Sequence, residues 1–344
     1  MKKICFRVDA NQNIGQGHAA RCLAVANELS SNYDAQCLFA VSDEDSERFF
    51  AMRKKEVINL GLAYKDYSLY AAKSMAKIIE TEQASIVIAD SYYVTYEYLS
   101  FLRQFAKIGC FYCENRVMPV DLLINYNVDY DKSFYERNYD SKNVELLLGT
   151  EYVPLRKEFG KPKLERNNTI EKILFLTGGG DPLNVVESVV KEIKSRDDLK
   201  KFKFTFVIGT YSEIAGHQAC KNEDDHITYM ASTDKIADVM KAHDLVVSAG
   251  GTTMYELCAL GIPSVIYSMV DNQISEAKYL GENGYLVYAG DVRTDNFFEK
   301  LLDSILTLAS LDGALDEMSS KMRTLVDGKG CSRIASKIYG LKVG

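Results

Sequence analysis

Short, almost wholly apolar runs separated by longer amphipathic stretches recur along this chain from end to end. "SIVIA" (residues 85–89) and "DLVVS" (244–248) lack the polar alternation of a strand with one wet face, so they read as strands buried on both sides. Candidate strands are residues 3–8, 35–41, 85–89, 107–112 and 122–125. A second series follows at 172–177, 203–208, 226–229, 245–248, 264–266 and 285–288. Helical segments fall between them at 46–53, 70–81, 95–105, 184–195, 236–242, 254–260, 273–283 and 295–311. Such alternation predicts an α/β chain of parallel sheets covered by helices on both faces.

At 344 residues the chain exceeds what one core comfortably holds, which predicts two domains. The charged segment "LRKEFGKPKLERNNTIEK" interrupts the pattern, and residues 156–171 within it read as a linker. The expected layout is a first domain at 1–155 and a second at 172–325. A helix at 326–344 is expected to cross back to the first domain. Each half opens with a strand, a glycine turn and a helix, so two doubly wound domains facing each other are expected, with ligands at the carboxyl ends of the strands.

The formal charge of −7, with no basic block to offset it, argues against nucleic-acid binding. No apolar run approaches the roughly 18 residues of a spanning helix. Arg7 and Asp9 interrupt the opening "MKKICFRVD", so no secretory signal is expected there. Eight scattered cysteines fit reduced thiols and a cytoplasmic setting. Cys110 and Cys113 make one C-x-x-C with no second pair to complete a zinc set, so no metal or cofactor is expected.

Three strand–glycine–helix junctions stand out: "VDANQNIGQGHAAR", "FLTGGGDPLNVV" and "VVSAGGTTMYELCALGIP". Glycines admit close backbone approach, and the N–H groups opening a helix favour an anion, so a phosphate-bearing ligand is expected. Neither the dinucleotide fingerprint nor the P-loop is present: Ala20 stands where the first would need a third glycine. Pro182 after Asp181 reads as a first-turn proline with an aspartate cap, and "DED" (43–45) as acids starting a helix. "DYD" (129–131) stays undecided in a tyrosine-rich loop.

The first junction carries the chemistry. If the helix starts near Gly17, then Ala19, Cys22, Leu23, Ala26 and Leu29 form its core stripe, and His18 and Arg21 share another side. The positive end of the helix dipole favours a neutral imidazole at His18, the state a general base requires. Strand one holds Arg7 and Asp9 on one face. Arg7 needs a carboxylate or a ligand. Asp9 has three options: to hold Arg7, to bind a sugar hydroxyl, or to orient His18. A second buried strand ends in Asp90, Ser91 and Tyr92 at the same rim.

"FRVDANQNIGQGHAARCLAVANEL", "ADSYYVTYEYL", "LLGTEYVPLRKEF", "FLTGGGDPLN" and "SAGGTTMYELCALGIPSVIYSMVDNQ", in that order, resemble the PseG/SpsG group. These are nucleotide-sugar hydrolases of pseudaminic acid synthesis and their spore-coat relatives, similar to the MurG-like glycosyltransferases of GT-B architecture. The resemblance implies two Rossmann-like domains and hydrolysis of UDP-2,4-diacetamido-2,4,6-trideoxy-β-L-altropyranose to the free sugar and UDP. It implies that His18 activates water, with Asp9, Gly17, Arg21, Asp90 and Tyr92 on the sugar side. Asn272 and Gln273 would stand near the sugar–diphosphate junction. Gly179, Gly250, Gly251, Thr252 and Thr253 would cradle the diphosphate, and Glu256 the ribose. The partner implied is the UDP-sugar alone, bound by a monomer or weak homo-oligomer. One departure touches specificity: "GCFYCENRV" carries Cys113, Glu114 and Asn115 where relatives commonly show paired aspartates. The runner-up is a GT-B glycosyltransferase using a UDP-amino sugar donor; a third reading is a non-catalytic nucleotide-sugar-binding protein.

Overall fold

The computed structural model describes residues 1–162, 168–178, 180–209 and 225–342. Its contacts divide the chain into two units: Met1–Arg156 with Lys329–Gly344, and Lys157–Gly328.

The strands of the first unit are β1 (Lys2–Val8), β2 (Ala35–Val41), β3 (Glu56–Asn59), β4 (Ile86–Asp90), β5 (Lys107–Phe111), β6 (Leu122–Asn125) and β7 (Glu145–Leu148). They form one parallel sheet in the order β3-β2-β1-β4-β5-β6-β7. Helices α1 (Gly17–Asn32), α2 (Glu44–Ala51), α3 (Leu69–Glu82), α4 (Tyr96–Leu102) and α5 (Lys132–Asn138) connect them. The central strands are apolar because both faces are covered: every residue of "IVIAD" in β4 is buried. The strand order reverses direction between β1 and β4, where Val8 lies opposite Asp90. A doubly wound sheet opens its binding crevice at such a point.

The second unit holds β8 (Lys172–Leu176), β9 (Lys203–Ile208), β10 (Ile227–Ala231), β11 (Leu245–Ala249), β12 (Ser264–Ser268) and β13 (Val287–Asp291). Its parallel sheet runs β10-β9-β8-β11-β12-β13. Helices α6 (Val185–Ser195), α7 (Ile236–Lys241), α8 (Thr252–Leu260), α9 (Ile274–Glu282), α10 (Phe297–Ser310) and α11 (Ala314–Leu325) pack around it. The last helix, α12 (Gly330–Gly340), is part of the first unit and packs on α1. Gly330 lets the start of α12 lie against the backbone at Val153, since a Cβ there would stand 2.0 Å from the Val153 carbonyl oxygen. Lys2 Nζ ties the far end of α12 down by donating to the Leu341 carbonyl at 2.8 Å.

Two strands go beyond the sequence pattern. β3 and β7 are four-residue edge strands, half-buried and opening on Glu56 and Glu145, too short to show a period. The tyrosine-rich loop holds α5, and Asp131 of "DYD" is its cap, accepting the Phe134 amide. Asp43 likewise caps α2. Pro182 is not in a first helical turn: α6 starts at Val185, and Asp181 reaches forward to accept the amides of Val185 and Val186 at 2.8 and 2.9 Å.

Candidate active site

The loop after β1 is shaped by Asn11, whose side-chain oxygen accepts the amides of Asn13 and Ile14. Gly15, at φ +74°, then turns the chain into α1. Gly17 is the exposed first residue of that helix, and His18 follows it, 4% exposed. The His18 Nδ1 lies 2.6 Å from Oδ1 of Asp90, the last residue of β4. Arg21 Nη2 also lies 2.9 Å from this Nδ1. A carboxylate only accepts, so in the tautomer that carries its hydrogen on Nδ1 that hydrogen points to Asp90 and Nε2 bears the lone pair. That Nε2 is buried and has no hydrogen-bond partner. The Tyr92 ring packs edge-on against the imidazole, with centroids 4.5 Å apart.

Asp90 is itself clamped. Arg21, one turn along α1 from His18, donates through Nε to Oδ2 at 2.6 Å and through Nη2 to Oδ1. The Cys22 thiol donates to Oδ2 at 3.3 Å. Burial by itself would raise the Asp90 pKa, but Arg21 and then His18 outweigh it and hold the carboxyl down at about 2. Burial opposes the Arg21 charge, yet Asp90 keeps that guanidinium well above its ordinary value. Its third donor, Nη1, reaches Tyr126 Oη at 2.6 Å just past β6. Arg21 and Asp90 thus neutralise each other, and His18 is oriented by a charge that stays fixed across the ordinary pH range.

His18 and Arg21 stand in the wall of an open pocket whose empty space, counted out to the solvent at its mouth, is about 410 Å³. Ser91 and Tyr92 close it from the end of β4, Phe111 to Glu114 from β5, and Ile124 to Asn127 from β6. All these residues sit at the carboxyl ends of the strands beside the reversal point.

Asp9 does not meet this pocket. It is wholly buried, and its carboxylate accepts Arg7 Nη1 at 2.8 Å, the Ser42 amide at 2.6 Å and the Ser42 hydroxyl at 3.1 Å. Of the three options open to Asp9, the fold takes the first: it neutralises Arg7, which also lies over the Tyr67 ring. The expected sugar contact for Asp9 is therefore corrected to a core ion pair. Orienting His18 falls to Asp90.

In the second unit, β11 runs through Gly250 and Gly251 into α8, with Thr252 and Thr253 half-buried in its first turn and Glu256 half-buried one turn on. Gly251 has φ +119°, a conformation an L side chain resists, and no side chain caps the helix there. Gln273 latches this turn: its Nε2 donates to the Gly250 carbonyl at 2.9 Å, and its Oε1 accepts the Met269 amide at 2.8 Å. A Cβ at Gly250 would stand 3.0 Å from the Gln273 Cβ. Each end of that amide makes one hydrogen bond within its own unit, so Gln273 locks this loop. Asn272 beside it is exposed. Gly179 lies outside the described residues. Among the described residues no group of acids, cysteines and histidines could hold a metal ion, and no helix is long and apolar enough to cross a membrane.

Tyr126 and Cys22 were missed in the sequence. Tyr126 had a signal: like Asp90, it comes at the end of an apolar parallel strand, where a polar side chain faces the crevice.

Residues 173–334 match the model of the glycosyltransferase family 28 C-terminal domain. Over 291 residues the chain is 28% identical to an uncharacterised protein of Methanocaldococcus jannaschii, covering 80% of this chain and 57% of that protein, just over half its length. It is 24% identical to the spore coat polysaccharide biosynthesis protein SpsG of Bacillus subtilis, across 97% of this chain and 96% of that one. Identity is also 24% to the UDP-2,4-diacetamido-2,4,6-trideoxy-beta-L-altropyranose hydrolase of Campylobacter jejuni, across 83% of this chain and 98% of that one. MurG of Acinetobacter baumannii is similar in structure with a TM-score of 0.70, at 14% identity over 99% of this chain and 100% of that one. At such identity the likeness shows the fold, which is GT-B.

Proposed function

We propose that this chain acts on UDP-sugars and hydrolyses UDP-2,4-diacetamido-2,4,6-trideoxy-β-L-altropyranose, with His18 as general base. The observation that carries this reading is the buried, unpartnered Nε2 of His18, held by Asp90 through the opposite ring nitrogen. The 24% identity to a hydrolase of that substrate, over 98% of its length, supports it.

In the proposed step Nε2 takes a proton from water as the water oxygen bonds to the anomeric carbon. The bond from that carbon to the diphosphate oxygen breaks, and UDP departs with the electron pair. The new imidazolium sits against the Asp90 carboxylate, which stabilises it and later allows the proton to pass to solvent. A diphosphate leaves as an anion, so it needs stabilisation of charge more than a general acid. The amides of Gly251, Thr252 and Thr253 at the start of α8 are the groups proposed to supply it, with Glu256 on the ribose. Arg21, clamped on Asp90, serves by positioning.

The family 28 match of the second unit favours one alternative, transfer of the sugar to an acceptor. The test is UDP release from the diacetamido-altrose nucleotide with no acceptor present. Steady release by the wild type, falling roughly 10² to 10⁴-fold in His18→Ala, is the result expected of a hydrolase. Release that appears only when an acceptor is supplied would establish the transferase instead.

A further inference from the structure

The His18 pocket holds one more ionisable group that the proposed chemistry does not use. Glu114 lines it just past the end of β5, and its Oε2 accepts the Tyr112 hydroxyl at 2.9 Å. Tyr112 is itself 6% exposed and shares the pocket wall. Burial, and after it the hydrogen bond and charge of Glu114, push the Tyr112 phenol up, so it remains a donor and Glu114 an acceptor.

The Arg21 charge of the lining is paired with the buried Asp90. Glu114 forms no ion pair within 4 Å among the described residues, and although the exposed Arg116 two residues on is near enough to act on Tyr112, the carboxylate is the acidic group that the pocket lining presents. The remaining polar lining includes Ser91, Asn125 and Asn127, and no unpaired cation. Such a wall attracts hydrogen-bond donors and positive charge, and repels a carboxylate or phosphate.

We propose that Glu114, steadied by Tyr112, determines the sugar class this pocket accepts: an amino sugar that presents N–H groups, with sugar acids excluded. This rests on the nucleotide-sugar reading above and deepens it. Glu114 acts on the bound sugar and takes no part in bond cleavage.

The test uses the full chain and a charge series: UDP-glucosamine, UDP-N-acetylglucosamine and UDP-glucuronic acid, whose sugars carry positive, zero and negative charge. Calorimetry gives the affinity of each relative to UDP alone, for wild type, Glu114→Gln and Tyr112→Phe. The wild type should bind the glucuronate about tenfold or more weakly than the acetylated sugar. Glu114→Gln should bring that ratio close to one and remove the preference for the free amine. Tyr112→Phe should keep the sign of the preference while shrinking it, because the charge stays but its placement loosens. A ratio near one in the wild type, or a ratio unchanged in Glu114→Gln, would overturn the inference. Absence of UDP release from these sugars would bear on hydrolysis alone, since the affinity ratios remain readable. Failure to bind UDP at all would sink both.

Discussion

The two units present the same local device, a parallel strand running through glycines into a helix, and equip it differently. In the first unit the helix start carries polar side chains: His18 and Arg21 converge on Asp90 from a neighbouring strand. In the second it carries backbone: Gly251 at φ +119°, two small hydroxyl residues, and a Gln273 latch that holds the turn open. A turn that must hold a proton acceptor needs a rigid side-chain network, because its nitrogen must stay oriented and uncharged. A turn that must approach an anion needs bare amides, so its partners are drawn off to the side. Similarity of topology therefore says little about which turn performs chemistry; the second layer of contacts decides.

The sharpest way to break this contrast is Asp90→Asn. The isosteric amide should leave His18 in place yet no longer enforce its tautomer, and UDP release should fall on the order of 10³-fold with UDP affinity within about threefold. Arg21 would also lose its carboxylate, at about 3 kcal/mol, read as a lowered Tm. A variant that unfolds later in denaturant, or keeps its turnover, would contradict the clamp.

Gly251→Ala attacks the other turn. Strain of roughly 1–3 kcal/mol at that φ should weaken UDP binding ten- to hundredfold. The rate at saturating substrate should change only a few fold. A fall in kcat with unchanged affinity would mean that the second turn also serves the chemistry.

A smaller effect follows from the Asp90 carboxyl, whose folded-state value of about 2 lies below the ordinary aspartate value. A depressed acid contributes its full stability where the carboxyl is ionised in both the folded and the unfolded chain, that is, at pH above about 4. As pH falls from there through about 2, the contribution is lost; it amounts to about 2 kcal/mol. Denaturant melts between pH 5 and pH 2 should show this slope in the wild type and a flatter one in Asp90→Asn. Parallel curves would remove the clamp from the stability of the first unit.

The smallest change is Tyr126→Phe. Losing one buried hydrogen bond to Arg21 should cost about 1 kcal/mol and a few fold in UDP release, with UDP affinity unchanged. A loss as large as that of Asp90→Asn would make Tyr126 a partner of the substrate as well as of Arg21.

Much of the architecture was legible in one dimension. Runs such as "IVIAD" and "LVVSA" announce buried parallel strands, while β3 and β7 were hidden because a four-residue edge strand with a charged end carries no period. The site was legible in outline: His18 and Arg21 share a helix side because they lie three apart, and Asp90 ends a strand whose other residues are apolar. Their meeting was not.

From its sequence alone this protein was bound to alternate strand and helix, to turn on glycine after β1 and β11, and to set His18 at the carboxyl end of its first strand. These follow from periodicity and backbone sterics, which act within a few residues. Only the tertiary structure decided which aspartate serves which cation. Asp9 and Asp90 were both candidates for His18, but Asp9 falls beside Arg7 and Ser42, whereas the register of β4 against β1 sets Asp90 beneath the first turn of α1, within 2.6 Å of the imidazole. Gln273 was committed to the Gly250 carbonyl in the same way. Such choices depend on strand register and side-chain direction between residues far apart in the chain, and those are set only when the sheet has closed around them.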